Sequence, residues 1–253
     1  MLPNVQEPAQ PVSYGTFHQA WDGFADYLQS LLESARPRHV GELGAGARPL
    51  FGLDLAERLG FRYALLDISA EQLAHAPAGY DKQVCDIGAR VLSVGPQRYD
   101  LMFSRMLCEH VADGEQLHRN VLSLLRPGGI AVHFMPTLFA LPFVINRLLP
   151  ERLGQRLLSA VSPPARGRRK FPAYYSWCRG PTAASLAAFR RLGYEVVQYK
   201  GFFGHGYYQP LRPLYSLHWK LSELLVDHPQ PALTSYAWVT LRRPVDVAAR
   251  PPA

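Results

Sequence analysis

The hydrophobic positions of the chain begin with a helical period. Phe17, Trp21, Phe24, Leu28 and Leu31 recur at spacings of three and four residues. This spacing places apolar side chains on one face of a helix. The pattern therefore predicts an amphipathic helix that packs on the structure following it.

Further along, short apolar runs alternate with segments of helical spacing. The runs are RHVGEL, YALLDI, KQVCDI, YDLMFS and GIAVHFM. This alternation is typical of a parallel sheet covered by helices. Two more strands are predicted, one from Tyr194 and one over LTSYAWVTL. The sequence therefore predicts an α/β fold with a seven-stranded sheet.

Residues that start or stop helices support this reading. Ser69 with Gln72 three positions later forms a capping-box pattern, and Thr182 is a candidate N-cap. Pro127 and the two glycines after it predict that a helix ends at RPGG, before the fifth strand.

Two segments interrupt the alternation, after the fifth and the sixth predicted strands. Insertions there lie at the carboxyl edge of the sheet, where open α/β proteins bind ligands, so we expect both to cover a substrate as lids. The predicted organisation is a tail and helix at 1–36, a core at 37–136, an insertion at 137–181, the remaining sheet at 182–244 with a second insertion at 203–232, and a tail at 245–253.

Composition fits one globular domain with embellishments. Of the 253 residues, 48% are hydrophobic and only 19% are charged, which excludes a disordered chain. No window reaches the roughly 18 apolar residues of a membrane span, and the N-terminus lacks the pattern of a secretory signal. We therefore expect a cytoplasmic protein with reduced cysteines. The net charge of +7 favours an anionic partner.

The stretch HVGELGAGARPL carries the first chemical signal. Gly44, Ala45 and Gly46 form a bare turn after Glu42, which allows close approach of backbone to a ligand. A dinucleotide site would need a glycine where Pro49 stands. The carboxylate of Glu42 would repel pyrophosphate and would suit a cation.

Two later carboxylates complete the predicted site. Asp67 ends the second predicted strand, where it can accept hydrogen bonds from two ribose hydroxyls. Asp86 ends the third, where it can accept from an adenine amine while the Ile87 backbone reads the ring edge. An adenosine that carries a positive charge and no phosphate is S-adenosylmethionine.

Five motifs follow one another over about residues 37 to 136: VGELGAGARP, LLDIS, VCDIG, YDLMFSRMLCEHV and LLRPGGIAVHF. In this order they resemble the motifs of class I S-adenosylmethionine-dependent methyltransferases. The resemblance implies a Rossmann-like, mostly parallel sheet with helices on both faces. It also implies an antiparallel seventh strand beside the fifth. It adds Ile68 and Ser104 to the cofactor site. Arg48 departs from the glycine that the family often has there.

The candidate catalytic residues are Glu109, His110 and His205. Ubiquinone-biosynthesis O-methyltransferases have a similar Glu-His pair, with an acidic residue three positions before the Glu that helps bind a divalent metal. Met106 stands there in this chain, so we expect no metal. Two alternatives remain open: His110 packs or caps a helix, and His205 is a loop histidine without chemistry.

The candidate substrate residues are Tyr174, Tyr175, Trp177 and Arg169. The three aromatics form either a substrate wall or ordinary packing. Arg169 belongs to the basic run ARGRRK, which is either a solvated surface or an anion site. The apolar segment 138–158 is either a lid helix or a surface helix that touches lipid.

These features predict O-methylation of a small-molecule, glycan or lipid-linked acceptor, without a DNA partner. Three alternatives stay open: a non-catalytic S-adenosylmethionine-binding protein, a peripheral adaptor at the inner face of the membrane, and an RNA methyltransferase. No motif for amino-group methylation of bases is present, since SPPA at Ser162 lacks the stacking ring. No separate RNA-binding module is present either.

Overall fold

The computed structural model describes residues 11–96, 98–138, 172–210 and 212–245. Its strands are β1 (Val12–Thr16), β2 (His39–Leu43), β3 (Arg62–Asp67), β4 (Asp81–Val84), β5 (Tyr99–Arg105), β6 (Leu125–Pro136), β7 (Glu195–Phe203) and β8 (Tyr236–Arg242). Its helices are α1 (Phe17–Asp22), α2 (Phe24–Ala35), α3 (Leu53–Leu59), α4 (Ala70–His75), α5 (Gly114–Leu124), α6 (Ala183–Arg191) and α7 (Arg212–Asp227). Short 3-10 turns lie at Cys108–His110, Gly206–Tyr208 and Pro231–Leu233.

The strands form one sheet in the order β1-β7-β8-β6-β5-β2-β3-β4. Strand β8 runs antiparallel to both of its neighbours, β6 and β7, and every other pairing is parallel. The α/β class and the antiparallel strand inserted beside β6 are therefore confirmed. The predicted count of seven strands is wrong by one for the described residues.

The extra strand is β1, in a region whose start was predicted to be a loose tail. Its backbone pairs with β7 from Val12 opposite Tyr199 to Thr16 opposite Phe203. The ring of Tyr14 stacks on Phe203 at 5.5 Å between centroids. A five-residue edge strand held by a partner almost 190 positions away leaves no period in the sequence that would predict it.

The predicted first helix is two helices, α1 and α2, divided at Gly23. A Cβ at Gly23 would lie 2.9 Å from the carbonyl oxygen of Gln19. Phe24 and Leu28 of the predicted stripe are buried, whereas Trp21, before the break, is 43% exposed. The periodicity therefore predicts α2 correctly and misses the bend before it.

The predicted helix starts are confirmed by their side chains. The Ser69 hydroxyl accepts a hydrogen bond from the Gln72 amide, and Thr182 accepts one from the Ser185 amide. The helix predicted to end at RPGG instead ends at Leu124. RPGG belongs to β6, which begins at Leu125, directly after α5. Its first residues enter the sheet through a register shift between Tyr99 and Leu101.

All parallel strands point their carboxyl ends to one edge of the sheet, which we call the carboxyl edge. The antiparallel β8 starts at this edge with Tyr236, opposite Pro136 at the end of β6. Of the predicted insertion 137–181, only 137–138 and 172–181 belong to the described residues. The predicted insertion 203–232 contains the turn Gly206–Tyr208 and α7. Across the described ranges, no helix is long and apolar enough to cross a membrane.

Candidate active site

The glycine turn follows β2 at the carboxyl edge. Gly44 and Gly46 have φ angles of +69° and +55°, a left-handed conformation that costs glycine little. A Cβ on Gly44 would lie 2.9 Å from a methyl group of Leu107. The amides of the two glycines donate to the Leu66 carbonyl at 2.8 Å and to Asp67 Oδ2 at 2.9 Å. The turn is thereby fixed against the end of β3.

Asp67 has spare hydrogen-bonding capacity. Its Oδ2 accepts from Gly46 and its Oδ1 accepts from the Ser69 amide at 2.9 Å. A carboxylate has about four lone-pair sites, so both oxygens can still accept from a ligand. The next side chain, Ile68, is 65% exposed and offers apolar surface beside the carboxylate. This pairing fits a ribose diol next to an aromatic base.

Asp86 does not end its strand, because β4 stops at Val84. The carboxylate is exposed and accepts from the Gly88 amide at 2.9 Å. Ile87 buries its side chain, and its carbonyl oxygen accepts from Nδ2 of Asn120 at 2.7 Å. Asn120 also donates to the Ala89 carbonyl, so α5 fixes the whole loop. Sequence reasoning missed Asn120, although a polar residue within the apolar face of α5 was a usable signal.

Glu42 is more enclosed than predicted. Its buried carboxylate accepts from the Tyr63 hydroxyl and, at 3.0 Å, from the Leu50 amide. Burial raises the pKa of Glu42, while the bonds from Tyr63 and Leu50 and the charge of Arg105 oppose that rise. Glu42 thus connects β2, β3 and the far end of the glycine turn. Tyr63 was not identified from the sequence.

Ser104 lies in the interior of β5. Its fully buried hydroxyl is 2.8 Å from Nδ1 of His133. Because burial lowers the pKa of His133 to about 4, this histidine is neutral at physiological pH. The Ser104 side chain therefore holds β5 to β6, and a cofactor contact there would come from its backbone.

The turn Cys108–His110 carries two of the predicted catalytic residues. It follows Met106, which has a φ of +55°, an unusual conformation for a residue with a Cβ. The Glu109 side chain is buried, and no described residue gives its Oε2 a hydrogen bond. Burial raises the pKa of Glu109 to about 8. A carboxyl group that titrates near neutral pH can hold or release a proton during a reaction.

His110 adjoins this carboxyl group. Its Nε2 lies 3.7 Å from Glu109 Oε1, and its Nδ1 lies 2.8 Å from the Pro172 carbonyl oxygen. Because a carbonyl oxygen only accepts, Nδ1 carries the hydrogen of that bond. His110 is therefore held between Glu109 and Pro172, whose segment continues to Tyr174 and Tyr175.

That segment is fastened to the same turn by its backbone. The Glu109 carbonyl accepts from the amides of Tyr174 and Tyr175 at 2.7 and 3.2 Å. Tyr175 is buried with a φ of +52°, while Tyr174 is 46% exposed. The two tyrosines therefore face different surroundings although they are adjacent in sequence.

Trp177 packs against two helices. Its ring is 5.6 Å from that of His118 and 5.5 Å from that of Phe189, which places it between α5 and α6. The geometry favours packing over a continuous aromatic wall. Arg169, the fourth predicted substrate residue, lies outside the described residues, as do the rest of the basic run and residues 139–158.

His205 is buried, in the segment between β7 and the turn Gly206–Tyr208. Its amide donates to Nε2 of His218 at 3.1 Å, and the two rings are 4.2 Å apart. Its ring also contacts Tyr208 at 4.6 Å. Burial, followed by the nearby His218, lowers the pKa of His205 to about 4. His205 is therefore neutral at physiological pH and, among the described residues, its Nδ1 has no hydrogen-bond partner.

Two tyrosines that were not predicted are electrostatically coupled to Glu109, and the ring of one, Tyr207, is 5.5 Å from that of His205. Burial is the main cause that raises the pKa of Tyr207 and Tyr236, and the charge of Glu109 raises both further. The Glu109 carboxyl group is therefore within electrostatic reach of both phenols. What we call the acceptor cluster consists of Glu109, His110, His205, Tyr175, Tyr207 and Tyr236.

Two further features are the grouping of possible metal ligands and a cavity away from the glycine turn. In the parts of the chain that the structure describes, no three His, Cys, Asp or Glu side chains are grouped to share a metal ion. A cavity of about 810 Å³ lies at the opposite edge of the sheet, lined by His39, Arg62 and Tyr99 among others. It contains none of the predicted site residues.

Comparison with known proteins identifies the family of this chain. A family model described as a methyltransferase domain matches residues 17–199. The ubiquinone biosynthesis O-methyltransferase of Caulobacter vibrioides is 28% identical over 183 residues, which are 65% of this chain and 67% of that protein.

Two solved structures share the fold. An S-adenosylmethionine-dependent methyltransferase from Mesorhizobium loti has a TM-score of 0.51 and 22% identity, over 88% of this chain and 99% of that one. Phosphoethanolamine N-methyltransferase 2 of Haemonchus contortus, in complex with S-adenosyl-L-methionine, has a TM-score of 0.53 and 16% identity, over 88% and 53%.

The chain therefore belongs to the methyltransferase domain family. Within it, the protein is an S-adenosylmethionine-dependent methyltransferase. This cofactor needs close approach of backbone and a hydrogen-bond acceptor for its ribose hydroxyls. The turn with two left-handed glycines and the remaining lone pairs of the Asp67 oxygens fit these two needs.

Proposed function

We propose that the protein methylates a hydroxyl group of a small-molecule, glycan or lipid-linked acceptor. The observation that carries this proposal is the buried Glu109 carboxyl group, whose pKa is raised to about 8 at the carboxyl edge. The O-methyltransferase of Caulobacter vibrioides supports the choice of oxygen.

The cofactor half of the site consists of the loops after β2, β3 and β4. Backbone of Gly44, Ala45 and Gly46 approaches the cofactor, and Asp67 accepts from its ribose hydroxyls. Asp86 would accept from the adenine amine, and the side chain of Ile68 and the backbone of Ile87 would border the ring.

Glu42 and Ser104 act less directly in this proposal. Glu42 is a positioning residue, because its carboxylate holds the Leu50 amide at the end of the turn. The backbone of Ser104 borders the cofactor while its hydroxyl stays with His133. Both residues set the shape of the cradle.

The acceptor half of the site has to orient a hydroxyl and take its proton. S-adenosylmethionine supplies a methyl group that its positive sulfur already activates. With that cofactor bound, the acceptor oxygen would bond to the methyl carbon as the carbon–sulfur bond breaks and its electron pair goes to sulfur. Ionised Glu109 accepts the hydroxyl proton, His110 is held beside it by the Pro172 carbonyl, and neutral His205 helps to orient the acceptor.

A methyl-transfer assay on hydroxylated acceptors tests this proposal. With an acceptor in hand, the wild-type rate should rise with pH through about 8, since Glu109 must be ionised to take the proton. Glu109→Gln should lose at least tenfold in kcat and should lose this pH dependence. Glu115→Gln is the matched control, because the Glu115 side chain is only about half-buried and pairs with Arg119. Methyl transfer to nitrogen or carbon only, or an unchanged pH profile in Glu109→Gln, contradicts the proposal.

A further inference from the structure

Helix α7 turns four leucines to the solvent. Leu214, Leu217, Leu221 and Leu224 are 42%, 67%, 50% and 55% exposed. Their spacings of three, four and three residues place them in one row, which we call the leucine stripe. A surface helix of a monomer normally turns such a row toward the core.

The other face of α7 holds the helix to the protein. Ser222 is buried there, the ring of Trp219 is 6.1 Å from Phe17, and His218 contacts His205. The helix contacts β1 and β7 through this face. The leucine stripe is therefore the outward face of a firmly seated helix, and its repeat is that of a two-helix seam.

The charges of α7 indicate which surface fits this stripe. Arg212 begins the helix and Asp227 ends it, so each charge lies at the end of the helix dipole that disfavours it. Within this fully described helix, the first turn has no acidic residue and the last turn no basic one. An antiparallel second copy of α7 would place an aspartate beside Arg212 and an arginine beside Asp227.

The same charges argue against a lipid surface. Arg212 and Lys220 are balanced by Glu223 and Asp227, so the charges of the helix sum to zero. Helices that lie on anionic membranes are rich in Lys and Arg. A partner that carries both signs, in opposite order, fits α7 better.

We propose that α7 forms an antiparallel, two-fold symmetric dimer with α7 of a second copy of this chain. Leu214 packs against the partner subunit's Leu224, and Leu217 against the partner subunit's Leu221. Sixteen residues of helix span about 24 Å, which makes a small interface. We therefore expect a dissociation constant on the order of micromolar.

Sedimentation velocity of the full chain tests this dimer between about 1 and 100 μM, around the expected dissociation constant. The wild type should pass from monomer to dimer over this range. Leu217→Glu/Leu221→Glu should remain a monomer at every concentration. Val91→Glu is the control, because Val91 is 84% exposed and lies far from α7 in sequence.

A charge exchange makes the test specific for the antiparallel order. Arg212→Glu and Asp227→Arg should each raise the dissociation constant about threefold to tenfold, because like charges then face each other. The double variant Arg212→Glu/Asp227→Arg should restore wild-type dimerisation.

Three results overturn the proposal. One is a wild type that stays monomeric throughout, and another is a dimer that Leu217→Glu/Leu221→Glu leaves intact. The third is a monomeric wild type whose leucine stripe is needed for sedimentation with phosphatidylserine vesicles, which assigns the stripe to a lipid surface.

Discussion

The cofactor half and the acceptor half of the site are built in opposite ways. Around the glycine turn, Asp67 and Asp86 are partly or fully exposed, and each accepts from nearby amides while keeping lone pairs for a ligand. In the acceptor cluster, Glu109 and His205 are buried with shifted pKa values. The first half therefore suits binding of a polar ligand, and the second suits handling of a proton.

The largest effect should come from breaking the cofactor half at Asp67. Asp67→Ala should weaken binding of S-adenosylmethionine by about 1.5 to 3 kcal/mol, because charge-assisted hydrogen bonds are lost. Calorimetric titration measures this change, with Asp81→Asn as a control on the exposed start of β4. Unchanged affinity for S-adenosylmethionine in a folded Asp67→Ala would contradict the assignment of Asp67 to the ribose. Glu109→Gln should bind S-adenosylmethionine with an affinity near that of the wild type.

Glu109→Gln should also reveal the cost of burying a carboxyl group in the acceptor half. Burial raises the pKa of Glu109 from 4.5 to about 8, so the wild type loses stability as the pH rises from 4.5 through 8. Glutamine cannot ionise, so the variant should be more stable than wild type by about 1 to 3 kcal/mol at pH 8. Urea unfolding at pH 5 and pH 8 tests this, and an equal difference at both pH values would contradict it.

His205 should respond to pH in the opposite direction. Its pKa falls from 6.5 to about 4 in the folded protein, so protonation destabilises the protein as the pH falls below 6.5. His205→Gln should recover about 1 kcal/mol at pH 5.5 and nothing above pH 7.5. His228→Gln, at an exposed position, is the control for urea unfolding at the two pH values. A gain of the same size above pH 7.5 would mean that His205 is not neutral and buried.

The smallest effect compares two glycines with the same backbone strain. Gly46→Ala and Gly60→Ala both place a Cβ at positive φ, and neither meets an atom closer than 3.9 Å. Each should lose about 1 kcal/mol of unfolding free energy. Only Gly46→Ala should also weaken cofactor binding, because Gly60 lies outside the site. Equal affinities in calorimetry would contradict the role of the turn.

The same contrast explains what the sequence could predict. The cofactor half depends on local patterns, such as glycines after a strand or an aspartate near a strand end, and residues 37 to 136 carry them in order. The acceptor half depends on contacts such as that of His110 with Pro172, 62 positions apart. No local pattern identifies Tyr207 and Tyr236 as neighbours of Glu109. Strand β1 was missed for the same reason.

The measurement that tests the central claim most directly is calorimetric titration of the wild-type protein with S-adenosylmethionine and S-adenosylhomocysteine, with NADH as the control. The first two should bind at micromolar concentration and NADH should not bind, because Glu42 and Pro49 replace features that a pyrophosphate site needs. Absence of binding for the first two, or binding of NADH, would contradict it.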